Sequence, residues 1–382
     1  MPGIFANLRT LLNRSVQTRT AADSPAKIRN ARQSGTAAAY RRAVSLLVMV
    51  QLILWAALPG VAVAGRGVWL AALGLIPAAV GVWILSKRVW CQQEKAPKRG
   101  AAQSPHSSGA RPWELLALLP CVLLDTLWLL HTLLSVLHRL MPSYPAGILR
   151  VVMPLLLVLA VLLGKRNGAA YGVSLWRWVL PLLAVWVLAQ VVGHQGMDQL
   201  YPLLGRGWKA TAQGMLPGLG GLWCIGLLFL LPECDRQGIS LRRGKPAWTM
   251  VYVLLPLGLG VLVAVGVACC ANWQAHGTAG LRLLWLGRSG GVMLAGLWSL
   301  TCLLGLMTGI CTSLMAGQKL TQRVWPRCPG WLPVLAAALP AAVLLWVWPD
   351  QLPAWVMALL PWRLGLWGVS AAMAGVRRWK RR

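Results

Sequence analysis

Apolar stretches of about 20 residues recur along almost the whole chain, and each is long enough to cross the hydrocarbon core of a bilayer as a helix. They lie near 44–65, 68–86, 113–137, 147–164, 174–193, 211–232, 247–269, 290–316, 331–348 and 353–375. In lipid every backbone N–H and C=O must find a partner inside the protein, so runs that are apolar on every side are read as helices. With 57% hydrophobic and 12% charged residues, the 382-residue chain has little left from which to build a soluble domain. The expectation is an all-α, polytopic membrane protein with about ten transmembrane helices. Residues 1–43 read as a basic cytoplasmic arm, 44–375 as the membrane domain and 376–382 as a basic cytoplasmic tail. The polar start of the chain, with no early apolar stretch beside a cleavage site, argues against a removed signal peptide.

A net charge of +29 would ordinarily suggest nucleic acid. Here the placement of the charge decides otherwise. Basic residues gather before the first span (Arg41, Arg42), after the second (Lys87, Arg88, Lys95, Lys98), after the sixth (Arg242, Arg243, Lys245), after the eighth (Lys319, Arg323, Arg327) and at the end (Arg377, Arg378, Lys380). The opposite loops are poorer by roughly four to one, which puts both ends in the cytoplasm and accounts for an even number of spans. The charge is an orientation signal with affinity for anionic membrane lipids. Nucleic-acid binding is not expected, because no basic-aromatic module accompanies it. Of the 23 tryptophans many, including Trp69, Trp90, Trp113, Trp325, Trp348 and Trp362, fall at predicted span ends and read as interface anchors.

The motif inventory excludes several activities. The nine cysteines and five histidines show no ligand spacing, so no metal site or cofactor is expected. There is no Walker loop and no tandem repeat. Neither a Ser/His/Asp set nor a carboxylate pair is present, and the chain does not read as an enzyme.

Ten spans with both ends on one side fit a five-plus-five inverted repeat, in which the first helix of each half is interrupted near the membrane middle. The first span holds Pro59-Gly60 and the sixth holds Pro217, Gly218, Gly220 and Gly221. Unwinding there would free backbone groups able to hold a carboxylate or an ammonium without a charged side chain. The competing reading is close packing, with Gly218 and Gly221 at small-residue spacing letting another helix approach.

Charged groups within spans are costly and therefore informative. Asp125 in span three sits among apolar residues, either as a proton or ligand site or as a structural partner for a basic or hydroxyl group on a neighbouring helix. Arg177 starts span five and Arg363 lies inside span ten. His131, six residues after Asp125, falls on a different helix face. In span eight Ser299, Thr301, Thr308, Thr312 and Ser313 either line a pathway opposite span one or bond back to their own backbone. Gln51 is the buried amide of span one.

Several stretches together resemble the B subunits of endospore nutrient germinant receptors, a transporter-like branch of the amino acid–polyamine–organocation superfamily. AGRGVWLAALG at 64–74 is similar to that family's approach to span two, RLMPSYPAGIL at 139–149 to its link between spans three and four, and Arg177 to an arginine opening span five. The longest match is MDQLYPLLGRGWKATAQGMLPGLGGLWCIGLLFLLPE at 197–233, and the likeness extends over 44–345 pattern by pattern. The resemblance implies a leucine-transporter-like fold in the inner membrane of the endospore, a complex with the receptor's A and C subunits, and a site for a small amino-acid-like ligand among spans one, three, six and eight. Placed on this chain, that site falls at Gln51, Pro59, Gly60, Asp125, Gly218, Gly220, Gly221, Trp223 and Thr301. Where that family often carries an acidic residue just after the span-six break, this chain has Trp223 and Cys224. The expected function is sensing of a small nutrient. A secondary amino-acid permease and a ligand-free structural subunit are the alternatives.

Overall fold

The computed structural model describes residues 25–90, 115–163, 182, 204–230, 246–269, 292–325, 327–348 and 351–379. They form helices α1 (Pro25–Trp55), α2 (Val61–Ala64), α3 (Val68–Trp90), α4 (Leu119–Leu140), α5 (Ala146–Leu163), α6 (Trp208–Gly221), α7 (Cys224–Leu230), α8 (Pro246–Cys269), α9 (Val292–Val324), α10 (Trp331–Val347), α11 (Leu352–Leu359) and α12 (Trp362–Trp379). Among the described residues there is no strand. Every expected span except the fifth, at 174–193, coincides with one of these helices or with a consecutive group of them; the fifth and Arg177 lie outside the described residues. The first helix begins at Pro25, so the expected arm–membrane boundary at 43/44 falls inside α1.

The long apolar run from Tyr40 to Trp90 is folded into two spans by a 3-10 turn at Gly65–Gly67. Gly65 has φ 59°, a backbone conformation that side chains with a Cβ avoid. Just before it, the helix widens into a π-turn at Ala56–Gly60. Pro59 explains the widening. Its nitrogen carries no hydrogen, and its ring would collide with the carbonyl of the preceding turn in a regular α-helix. The first span is therefore loosened at the expected dipeptide rather than unwound, and α2 continues it to Ala64.

In the sixth span the interruption is displaced from its expected place. Pro217, Gly218, Gly220 and Gly221 are all helical within α6, and the chain turns at Leu222–Trp223 before α7 resumes. The glycines instead act as packing surfaces. A Cβ on Gly214 would stand 2.9 Å from that of Ala64, and one on Gly218 would stand 2.8 Å from both the Trp55 ring and Leu75. Helices in lipid gain little from hydrophobic transfer between themselves, so such close backbone approach holds them together. The Trp55 indole N–H donates to the Gly214 carbonyl at 2.8 Å across the same seam.

These contacts fix the relative direction of the halves. Going backwards along span one, Ala64, Trp55 and Gln51 meet Gly214, Gly218 and Gly221 in turn. Spans one and six therefore run antiparallel, as an inverted repeat requires. Their two interruptions are not level. Seven residues separate Gln51, opposite Gly221, from the middle of the π-turn, an offset of roughly 10 Å along the axis.

At the end away from Gln51, two Gly-Arg-Gly triplets meet, 65–67 and 205–207. The Arg206 guanidinium donates to the Ala62 carbonyl at 2.9 Å, and the Thr211 hydroxyl closes the second triplet by donating to the Leu204 and Gly207 carbonyls. Span ten is split by Leu360–Pro361 into α11 and α12. On α5 the apolar residues Val151, Leu155 and Leu159 are exposed, as on a helix that meets lipid. Trp325, Trp348 and Trp362 are exposed as expected of anchors. Trp90 is not: it is buried edge-on against Trp367, centroids 6.1 Å apart.

Candidate functional site

Gln51, Asp125, Trp223, Cys224 and Arg363 converge from five elements at the level of the span-six interruption. Gln51 lies one turn before the π-turn of span one, and Asp125 lies in α4. Trp223 occupies the turn between α6 and α7, Cys224 opens α7, and Arg363 sits in the first turn of α12. Each placement follows from a local break. The 222–223 turn swings the Trp223 indole away from the course of α6. At the Leu360–Pro361 turn the Leu360 carbonyl accepts only a long bond from the Arg363 backbone N–H, at 3.4 Å, and the Arg363 Nε–H also donates to it at 3.1 Å.

Arg363 and Asp125 form an ion pair through Nη1 and Oδ1, with side chains 1% and 0% exposed. The same Nη1 donates to Gln51 Oε1 at 3.3 Å. On the other carboxylate oxygen, Oδ2, the Trp223 indole N–H donates at 2.9 Å and the Cys224 thiol at 3.4 Å. The Cys121 thiol, one turn before Asp125, donates to the Arg363 carbonyl at 3.6 Å. Both oxygens of Asp125 are thus engaged, by a cation on one and two neutral donors on the other. That is the condition for an ionised carboxylate to persist in a low-dielectric interior. One polar atom of the cluster has no partner: Gln51 Nε2 is fully buried and donates to nothing among the described residues.

The glycines complete the enclosure. A Cβ on Gly220 would overlap the Leu360 carbonyl and come within 3.2 Å of the Pro361 Cα, so only glycine permits this approach of spans six and ten. At Gly221 a Cβ would lie 3.4 Å from the Gln51 Cβ and 3.9 Å from Arg363 Nη2.

The structure therefore gathers Gln51, Asp125, Gly221 and Trp223 of the expected site around one ion pair, with Gly220 behind them. Pro59 and Gly60 shape the π-turn, where Gly60 packs on Trp55 and Val68. Gly218 packs on Trp55 and Leu75. The Thr301 hydroxyl bonds back to the Leu297 carbonyl at 2.7 Å, and Ser299, Thr308 and Thr312 do likewise in their own turns. Ser313 is the exception, bridging to Val122 and Thr126 of α4 at 3.3 Å.

Of the two readings of Asp125, the structure realises a partnership with a basic group on a neighbouring helix. The partner, Arg363, was missing from the expected site, as were Cys224 and Cys121. Its signal was present in the sequence: a lone carboxylate in one span and a guanidinium in another are each costly until they meet. Among the described residues Asp125 is the only acidic side chain, and no three His, Cys, Asp or Glu side chains gather as a metal would need.

No protein-family model and no curated protein matches the sequence. Solved structures do. Two single-residue variants of the Eremococcus coleocola manganese transporter superpose with a TM-score of 0.55 at 12% identity, covering 93% of this chain and 80% of theirs. At that identity the likeness is one of fold. The chain is an all-helical, multi-pass membrane protein with a transporter-type fold of the leucine-transporter kind.

Proposed function

We propose that this chain is a nutrient-sensing membrane subunit that binds a small amino-acid-like ligand beside the interrupted helices of spans one and six, in the manner of a germinant-receptor B subunit. The observation that carries the reading is the commitment of Asp125. A transporter driven by a proton gradient uses a group that titrates during the cycle, most often an intramembrane carboxylate. Here the one described acidic side chain is neutralised by Arg363 and capped by Trp223 and Cys224. A divalent cation approaching Asp125 would meet the guanidinium on the same carboxylate, which speaks against cargo like that of the manganese transporters. A site that binds without coupling to a gradient suits a receptor, whose ligand need only favour one conformation over another.

The resemblance over 197–233 supplies the finer identity: an inner spore membrane location, both termini cytoplasmic, and association with A and C subunits. Purified full-length protein in proteoliposomes tests the functional class. Saturable binding of at least one neutral L-amino acid, with no accumulation when a proton or sodium gradient is applied, is expected. Gradient-driven accumulation would make the chain a permease instead, and absence of any saturable binding would leave a structural subunit. Co-purification of A and C subunits with the tagged chain from spore membranes tests the assembly.

A further inference from the structure

We propose that Arg363 and Asp125 form a self-neutralised receptor for a zwitterion, in which a ligand carboxylate takes Arg363, its ammonium takes Asp125, and the idle Gln51 Nε2 donates to the carboxylate. The inference rests on the functional reading above and names the chemistry that the site selects.

Separating the two charges is costly. Opening a buried ion pair strands two charges, and each is strongly unfavourable unless replaced. A molecule carrying only an ammonium would satisfy Asp125 and abandon Arg363; one carrying only a carboxylate would do the reverse. An α-amino acid presents both charges a few bonds apart and relieves both at once. The guanidinium also suits a carboxylate, since its planar fork offers parallel N–H donors. Its Nε and Nη1 are engaged, and Nη2 lies 3.9 Å from where a Gly221 Cβ would stand, beside the Gln51 side chain. Gln51 adds the second observation. Its Oε1 already accepts from Arg363 while its buried Nε2 is unspent, a donor held beside the place where a carboxylate would arrive.

The pair also provides the signal. Asp125 belongs to span three and Arg363 to span ten, so the direct contact holds α4 against α12. Inserting a zwitterion lengthens that connection and moves Trp223, whose indole bonds the same carboxylate. The ligand then binds the separated arrangement and not the closed one, which is the differential affinity that a sensor requires.

The experiment uses full-length protein in lipid nanodiscs and equilibrium binding to a panel of neutral L-amino acids. The best binder is compared with its amide, which keeps only the ammonium, and its N-acetyl derivative, which keeps only the carboxylate. Both derivatives should bind at least roughly a hundredfold more weakly, the ratio expected when one buried charge is left unpaired. The double variant D125N/R363Q, with no net charge to strand, should stay folded by thermal unfolding and lose the amino acid. Equal binding of the amide or the N-acetyl derivative overturns the proposal on wild-type protein alone, whatever the variant does. Undiminished binding by a folded double variant overturns it too, while leaving the sensor reading intact. No binding of any amino acid to the wild type overturns both.

Discussion

Replacing Arg363 by Met removes the cation and leaves the Asp125 carboxylate buried with two neutral donors, Trp223 and Cys224, on one oxygen. Breaking a buried pair from one side costs about 3–5 kcal/mol. The remaining donors and the unspent Gln51 amide place R363M near the lower end, at about 3 kcal/mol. D125N strands a guanidinium whose other acceptors are the Gln51 Oε1 and the Leu360 carbonyl, and it should cost about 3–5 kcal/mol. The double variant D125N/R363M has no buried charge left, and such replacements are roughly neutral in well-packed sites. The cycle should then show a coupling energy of at least about 2 kcal/mol. Ordinary interhelical hydrogen bonds in membranes average only about 0.6 kcal/mol, so the two cases separate cleanly. Reversible unfolding in bilayer discs measures all four proteins. Single-variant losses that simply add in the double variant would refute the pairing as the organising contact of the site.

Three further outcomes follow from the packing. G220A should destabilise the protein by about 1–3 kcal/mol, because the new methyl meets the Leu360 backbone rather than a movable side chain, whereas G221A should be tolerated; thermal unfolding of the two adjacent variants compares them directly. G205A should cost about 1–2 kcal/mol for its φ of 56° alone, with more from the Ala64 carbonyl and Gly67 nitrogen it would strike, and hydrogen exchange should show the 62–67 segment opening with it. W55F removes the indole donor to Gly214 and should lower stability by about 0.5–1.5 kcal/mol with little change in amino-acid binding.

The spans were legible because the solvent dictates them: a stretch that must cross hydrocarbon declares itself by length and apolarity alone. The antiparallel relation of spans one and six was also legible, from the parity of spans in each half. The position of the sixth-span interruption was not. A glycine that lets a helix loosen and a glycine that lets another backbone approach look identical in sequence, since both are defined by a missing Cβ. Gly214, Gly218 and Gly220 are held helical by what they touch, namely Ala64, Trp55 and the Leu360 carbonyl. The turn falls two residues beyond, where Trp223 reaches Asp125. The ion pair was half legible. Asp125 read either as a proton or ligand site or as a partner for a basic or hydroxyl group, and the basic candidates within spans were Arg177 and Arg363. Only a fold that brings residues 238 apart into contact chooses between them.

The low net value of such a pair is itself informative about function. An ion pair that apolar residues could replace without loss is a poor source of stability, because desolvation consumes most of its attraction. It is a good source of contingency. While the charges face each other the closed arrangement stands. Once an external pair of charges substitutes for them, the direct contact no longer favours that arrangement, and a difference of about 5.5 kcal/mol suffices to move a two-state equilibrium from 1:99 to 99:1. Leaving either buried charge unpaired costs about 3–5 kcal/mol, so two charged contacts exchanged at one site approach that difference, whereas the hydroxyls of span eight bond within their own helix. The interruptions at Leu222–Trp223 and Leu360–Pro361 lie beside the residues that would have to move, and the π-turn of span one lies one turn beyond Gln51. The helix interruptions and the paired charges therefore lie in one region, where an exchange of the charges would act directly on the turns at Leu222–Trp223 and Leu360–Pro361.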